Sequence, residues 1–231
     1  IAFPKLGSLL ISYYNNLKMT KIKNINFLII LAISFFLIFG SLFRLYNINY
    51  ENLWFDEIVT FWITDPFIEI NENYKRNNAA GATPFLFNLL LKFTHEIFGY
   101  KTYIARYFSA AFGILSIISV TYLSNLLKKN NSYILVAFLI SFNVFLIKYS
   151  QEARVFSFLF FLCSLSIIFL IKSFQSYEAR KKLFFNTFLY ILFQILAFLT
   201  HPFTLIIFFS VIAYYFFYYL NYKKKSNFFK L

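Results

Sequence analysis

Long apolar runs alternate with short polar gaps along this chain, and the lengths of the runs set the expected elements. A membrane-crossing helix needs about 20 mainly apolar residues, whereas a run of roughly 10–14 lies on the interface or re-enters. By that measure spans are expected at 26–46, 104–127, 132–149, 155–171, 183–200 and 203–220. The run 84–98 is too short to cross. Its Asn88, Lys92, His95 and Glu96 fall at i, i+4, i+7 and i+8, on one helical face. That pattern predicts an amphipathic helix along the membrane surface. The expected fold class is therefore all-α, a polytopic transmembrane helix bundle of about six spans with one interfacial helix in the first external loop.

The charges orient this bundle. Lys and Arg near membrane ends accumulate on the cytoplasmic side. Lys21 and Lys23 precede the first span, Lys128 and Lys129 follow the second, Lys172 and Arg180 to Lys182 lie between the fourth and fifth, and Lys223 to Lys225 follow the sixth. All fall on one side if 84–98 does not cross, which puts the acidic loop and the short segments 150–154 and 200–202 together on the external side.

Composition agrees with a membrane protein: 60% of residues are hydrophobic, 13% are charged, and the mean hydropathy is +0.65. The net charge of +13 does not point to nucleic acid, because the basic residues sit in the gaps between apolar runs and not on a soluble face. The single cysteine, Cys163, lies inside an apolar run and has no intrachain partner for a disulfide. The only methionine, Met19, precedes Thr-Lys-Ile-Lys-Asn and an apolar run, so residues 1–18 are expected to be a non-native N-terminal extension. The first run is too long for a signal peptide and reads as a retained anchor.

Acidic chemistry is concentrated in one place. Of nine acidic residues, Glu51, Asp56, Glu57, Asp65, Glu69, Glu72 and Glu96 lie between the first two spans, leaving Glu152 and Glu178 for the rest. An acidic loop after a span is by itself ordinary solvated surface. Its surroundings give it more meaning. Arg44-Leu45-Tyr46, Leu53-Trp54-Phe55-Asp56-Glu57, Thr83-Pro84, the stretch Ala105-Arg106-Tyr107-Phe108-Ser109-Ala110-Ala111-Phe112-Gly113, Tyr149-Ser150-Gln151-Glu152-Ala153-Arg154 and Thr200-His201 follow one another in order.

In that order and spacing, over about residues 27–205, the chain resembles the N-terminal part of the polytopic glycosyltransferases of the GT-C fold, and more narrowly the bacterial relatives of protein O-mannosyltransferases and aminoarabinose transferases. The resemblance implies an inverting transfer of a mannose-like sugar from a polyprenyl-phosphate donor to a hydroxyl of a protein, lipid or glycan acceptor, in a bacterial inner membrane with the active site on the external side. The resemblance gives Asp56 the role of catalytic base, which agrees with the chemistry: an attacking hydroxyl must lose a proton, and a carboxylate within reach can take it. Glu57 is either its partner, orienting the acceptor or the loop, or a solvated neighbour. The lipid phosphate calls for cations where its charge develops, and Arg106 and Arg154, then Arg44, are the candidates, each alternatively a residue snorkelling to headgroups. Glu152 is expected to pair with Arg154 and position it. His201 is either a ligand of the donor's phosphate or sugar, or an interfacial residue, and His95 is given no role.

No metal is assigned: an Asp-Glu pair can ligate Mg²⁺ or Mn²⁺, but the resemblance implies a transferase that needs none, and neither histidine has a second at ligand spacing. Two departures matter. A lysine common in relatives after the Thr-Pro motif is absent from Pro84-Phe85-Leu86-Phe87, which argues against the aminoarabinose-transferase branch. Family members also carry many more spans, so 19–231 looks like the N-terminal part of the transmembrane catalytic domain, with its first external loop at about 47–103. Two other readings stand beside the transferase: a transporter or flippase of lipid-linked sugars, whose charges belong at mid-span, and an inactive truncated fragment.

Overall fold

The computed structural model describes residues 27–81, 84–127, 132–176 and 180–213. The extension 1–18, Met19, Lys21, Lys23, Thr83, Lys128, Lys129, Glu178 and Lys223 to Lys225 lie outside the described residues, as does the end of the sixth expected span. Among the described residues the structure is helical, with no strand. Helix α1, Phe27–Leu45, is followed by three short helices, α2 Phe55–Ile63, α3 Ile70–Ala79 and α4 Leu86–Phe98. The long α5, Thr102–Leu127, leads to α6 Ser132–Phe142 and α7 Val144–Gln151, then α8 Phe156–Gln175 and α9 Arg180–Phe198. A 3-10 turn, Pro202–Thr204, opens the last helix, α10, Pro202–Ala213.

Three of these, α1, α5 and α8, are long and apolar enough to cross a membrane, and the pair α6–α7 makes a fourth if counted as one bent span. The apolar parts of α9 and α10, Lys182–Phe198 and Pro202–Ala213, are shorter. The uninterrupted run 132–149 thus forms two helices meeting at 50°. The break falls at Asn143, whose side chain accepts from Leu146 N at 3.1 Å and caps α7. Across the break, Arg44 of α1 donates to Ile140 O at 2.9 Å and Ser141 O at 3.1 Å, as well as to Gly40 O at 2.8 Å. Backbone carbonyls released in an apolar region must be satisfied by protein, and a buried guanidinium does it here.

In a bilayer no hydrophobic force joins helices, so packing and hydrogen bonds must. Helix α5 packs on α8, α6, α7 and α4 with small residues at the contacts. Gly113 is the closest approach: a Cβ there would lie 2.6 Å from Ser150 Cβ and 3.3 Å from Arg44 Nε. Between helices, Ser119 meets Ser164 at 2.5 Å, and Ser166 donates to Gln194 at 2.9 Å. The apolar core lies beside the end that carries the acidic loop, where Phe87 and Leu91 of α4 join Ala105, Ala153, Val155, Phe158, Leu162 and Ala197.

Helix α4 forms where its polar stripe predicts, but the stripe faces protein. Asn88, Lys92 and His95 are buried. Lys92 donates to Asp65 O and Pro66 O, both at 3.3 Å, and to Ile68 O at 2.9 Å, and pairs with Glu96 at 3.0 Å. His95 Nδ1 meets Thr64 O at 3.1 Å, and Asn88 donates to Asn77 at 2.7 Å. The reason is the α2–α3 turn, whose outward carbonyls need donors; Asn73 supplies two more, to Ile63 O at 2.6 Å and Asp65 O at 2.9 Å. His95, given no role from the sequence, is part of this clasp. Gly99, at φ 100°, ends α4 in a conformation that disfavours side chains. It brings Tyr100 onto Phe61, rings 3.9 Å apart and stacked, with the phenol donating to Phe61 O at 2.7 Å and pushed by burial up to about 12.

Contacts gather the polar segments at one end. Gln151 donates to Phe43 O at 2.8 Å and Tyr46 O at 2.9 Å, joining the ends of α7 and α1. The end of α9 reaches the same level through Ala197, packed with Ala153 and Val155. The acidic loop, 150–154 and the α9–α10 turn therefore share an end, as the charge pattern predicts.

Candidate functional site

Asp56 and Glu57 open α2, where acidic side chains suit the exposed backbone N–H groups of a helix start. Successive helical residues point about 100° apart, since a turn holds about 3.6 of them. The two carboxylates consequently go separate ways. Glu57 turns inward and is buried. Its Oε1 accepts from Arg106 Nε at 2.9 Å and Ala153 N at 2.8 Å, and its Oε2 from Arg106 Nη2 at 2.7 Å and Trp54 N at 3.4 Å. Arg106 spends its other donors on Ile48 O at 2.9 Å, Glu51 O at 2.8 Å and Asn52 O at 3.3 Å. A guanidinium has five N–H groups, and all five are engaged. Glu57 and Arg106 are a clamp tying α2, α5, the 48–52 segment and the α7–α8 turn, with no donor of Arg106 left for a ligand phosphate.

Asp56 points out, and Arg154 reaches it at 2.7 Å. The pair is accessible: 45% of the Asp56 side chain and 26% of the Arg154 side chain are exposed. The guanidinium lies 4.8 Å from the Phe156 ring and 5.9 Å from Trp54, and Ser109 of α5 donates to Arg154 O at 3.2 Å. These contacts orient a cation whose only carboxylate among the described residues is Asp56. Asp56 and Arg154 border a cleft of about 230 Å³, lined also by Thr60, Asn88, Phe55 and Phe87.

The other expected site residues stand apart from this pair. Glu152 does not pair with Arg154: only its backbone carbonyl meets Arg154 N, at 2.8 Å, because Asp56 holds the guanidinium while the Glu152 side chain lines a different cleft. Burial, with Glu57 nearby, pushes the Glu152 carboxyl up against the opposing pull of Lys148, Arg154 and Arg106. Arg44 serves the α6–α7 break and lines an apolar cavity of about 590 Å³ among α1, α5 and α8. His201 Nδ1 accepts from Phe203 N at 3.2 Å and caps the 3-10 turn; burial lowers its imidazole, and it lines neither polar cleft. Trp54 and Ser109 at the site carried no sequence signal beyond the motifs that contain them, and Asn88 was legible only as part of the polar stripe of α4.

Among the described residues no group of three or more His, Cys, Asp or Glu is arranged to hold a metal ion. What the Asp56–Arg154 arrangement offers is a solvent-reached carboxylate beside an oriented guanidinium, suited to take a proton at one atom and meet an anion at another. No family model, curated protein or solved structure matches this chain.

Proposed function

We propose that this chain carries the catalytic end of an inverting glycosyltransferase of the GT-C type, in a bacterial inner membrane with its site on the external face. The donor is a mannose-like sugar on a polyprenyl phosphate, and the acceptor is a hydroxyl of a protein, lipid or glycan. The observation that supports this reading is the exposed Asp56–Arg154 pair, held at the mouth of a cleft at the end of the bundle.

The acceptor hydroxyl attacks the anomeric carbon from the face opposite the phosphate, and its proton passes to an Asp56 Oδ. The bond between that carbon and the phosphate oxygen breaks, and its electron pair leaves with the phosphate. The anomeric centre inverts. Arg154 meets the departing phosphate with charge-assisted hydrogen bonds. In the unliganded protein Arg154 holds Asp56; a donor phosphate competes for the guanidinium and releases the carboxylate as base. Glu57 and Arg106 act at one remove, by fixing the turn of α2 that carries Asp56.

The test is transfer from radiolabelled polyprenyl-phosphate mannose in membranes containing the full-length gene product. Transfer is expected to vanish in Asp56→Asn and to fall steeply in Arg154→Gln, with protein amounts unchanged. Undiminished transfer in Asp56→Asn removes the carboxylate from the mechanism.

A further inference from the structure

A second cleft, of about 510 Å³, opens at the same end and shares no lining residue with the one beside Asp56. Its size is that of a small-molecule site. Three aromatic side chains, Tyr46, Tyr50 and Trp54, all exposed, form its apolar wall. Most of its polar lining is already spoken for: Glu57 and Arg106 bond each other, and Gln151 serves two backbone carbonyls.

Beside the exposed Glu51, two charged groups are left over. Glu152 is only 7% exposed, and its Oε2 has no hydrogen-bond partner among the described residues. A buried carboxylate oxygen without a donor is destabilising, so its presence here calls for a donor arriving in the cleft. Lys148, one helical turn earlier, presents an ammonium that makes no ion pair among the described residues and lies 5.9 Å from the Trp54 ring. One acceptor and one donor thus face a cleft with an aromatic wall.

We propose that this second cleft is a binding site for a neutral pyranoside, with Glu152 accepting from ring hydroxyls, Lys148 donating to them and the aromatic wall covering the C–H face of the ring. The charge balance selects against the alternatives. With Glu57 and Arg106 cancelling, Glu51 and Glu152 oppose Lys148 alone, so a phosphate enters an unfavourable field. A cationic ligand meets Lys148 already beside the indole. An uncharged ring with hydroxyls on its rim and hydrogens on its face satisfies both groups. The site needs no transfer chemistry, and its readout is binding, so its failure and that of the transferase reading are separate results.

The experiment is a fluorescence titration of the detergent-solubilised Trp62→Phe protein, which leaves Trp54 as the sole tryptophan of the two. The probes are cellobiose, choline and inorganic phosphate. Cellobiose is expected to give a saturable change that choline and phosphate do not. Glu152→Gln and the exposed Lys148→Met are each expected to weaken it about tenfold or more. Glu152→Gln is also expected to raise the thermal midpoint, because it relieves a buried charge; a purely structural carboxylate gives the opposite shift. The proposal is overturned by the absence of a saturable cellobiose response, by a response indifferent to both substitutions, or by saturation with choline or phosphate in its place.

Discussion

Glu57→Gln tests the structural clamp apart from the exposed Asp56–Arg154 pair. The carboxylate receives four donors, two on each oxygen. Glutamine keeps the shape but makes one of its two polar atoms an NH₂ group. In one orientation this sets N–H against Arg106 Nη2 and Trp54 N; in the other, against Arg106 Nε and Ala153 N. Either way two hydrogen bonds become donor–donor clashes, and a buried guanidinium loses its counter-charge. Breaking a buried pair by removing one partner costs about 3–5 kcal/mol. At about 2–4 °C per kcal/mol for a chain of this size, the apparent midpoint falls by about 6–20 °C. The assay is thermal unfolding in detergent, with limited proteolysis across 47–54 as a local readout. The double variant Glu57→Leu/Arg106→Leu is expected to recover much of the loss, because replacing both charges with apolar side chains of similar volume is often neutral. A Glu57→Gln midpoint within about 1 °C of the parent refutes the clamp.

Three further outcomes follow from the packing and the buried polar groups. Gly113→Ala pushes a methyl against Ser150 and Arg44 and is expected to lower stability by about 1–3 kcal/mol, with Ser150→Gly restoring part of it in the same unfolding assay. Lys92→Met removes the ammonium that serves three carbonyls of the α2–α3 turn, leaving Asp65 O only the Asn73 amide, and protease cleavage within 64–68 is expected to quicken while α5 and α8 stay resistant. Burial holds the His95 imidazole below its ordinary value of 6.5, with the Thr64 carbonyl and Asp65 opposing, and among the described residues Nε2 has no acceptor for a second proton. Because the folded form binds the proton less readily than the unfolded one, this contribution is complete above 6.5 and is lost as pH falls below it. Protection of the α2–α4 loop, measured by hydrogen exchange, is expected to decline on that side, and His95→Gln is expected to flatten the decline.

Local signals made part of this legible in the sequence. Helices α1, α5 and α8 follow directly from run length, and α4 from the spacing of Asn88, Lys92, His95 and Glu96. The bend at Asn143 does not, because the run is continuous and the guanidinium that tolerates the break comes from Arg44, almost 100 positions away. Polar stripes normally read as solvated faces; that of α4 is buried because the carbonyls it serves lie in another part of the same loop. The Asp56–Glu57 pair was visible as candidate chemistry, and so were Arg106 and Arg154. Which acid meets which arginine was not: helical geometry sends the two carboxylates apart, and tertiary structure then decides the partner of each. Glu152 stands two residues before Arg154 in one motif yet faces another cleft, a separation no spacing rule encodes.

The most direct test of Asp56 as the base is chemical rescue. Transfer by Asp56→Ala is expected to fall by about 10²–10⁴-fold, the usual worth of a positioned base, and to recover in part, in proportion to added formate, while an Arg154→Gln protein shows no such recovery. Undiminished transfer by Asp56→Ala, or a loss that formate leaves untouched while restoring Arg154→Gln, contradicts the assignment of the proton to Asp56.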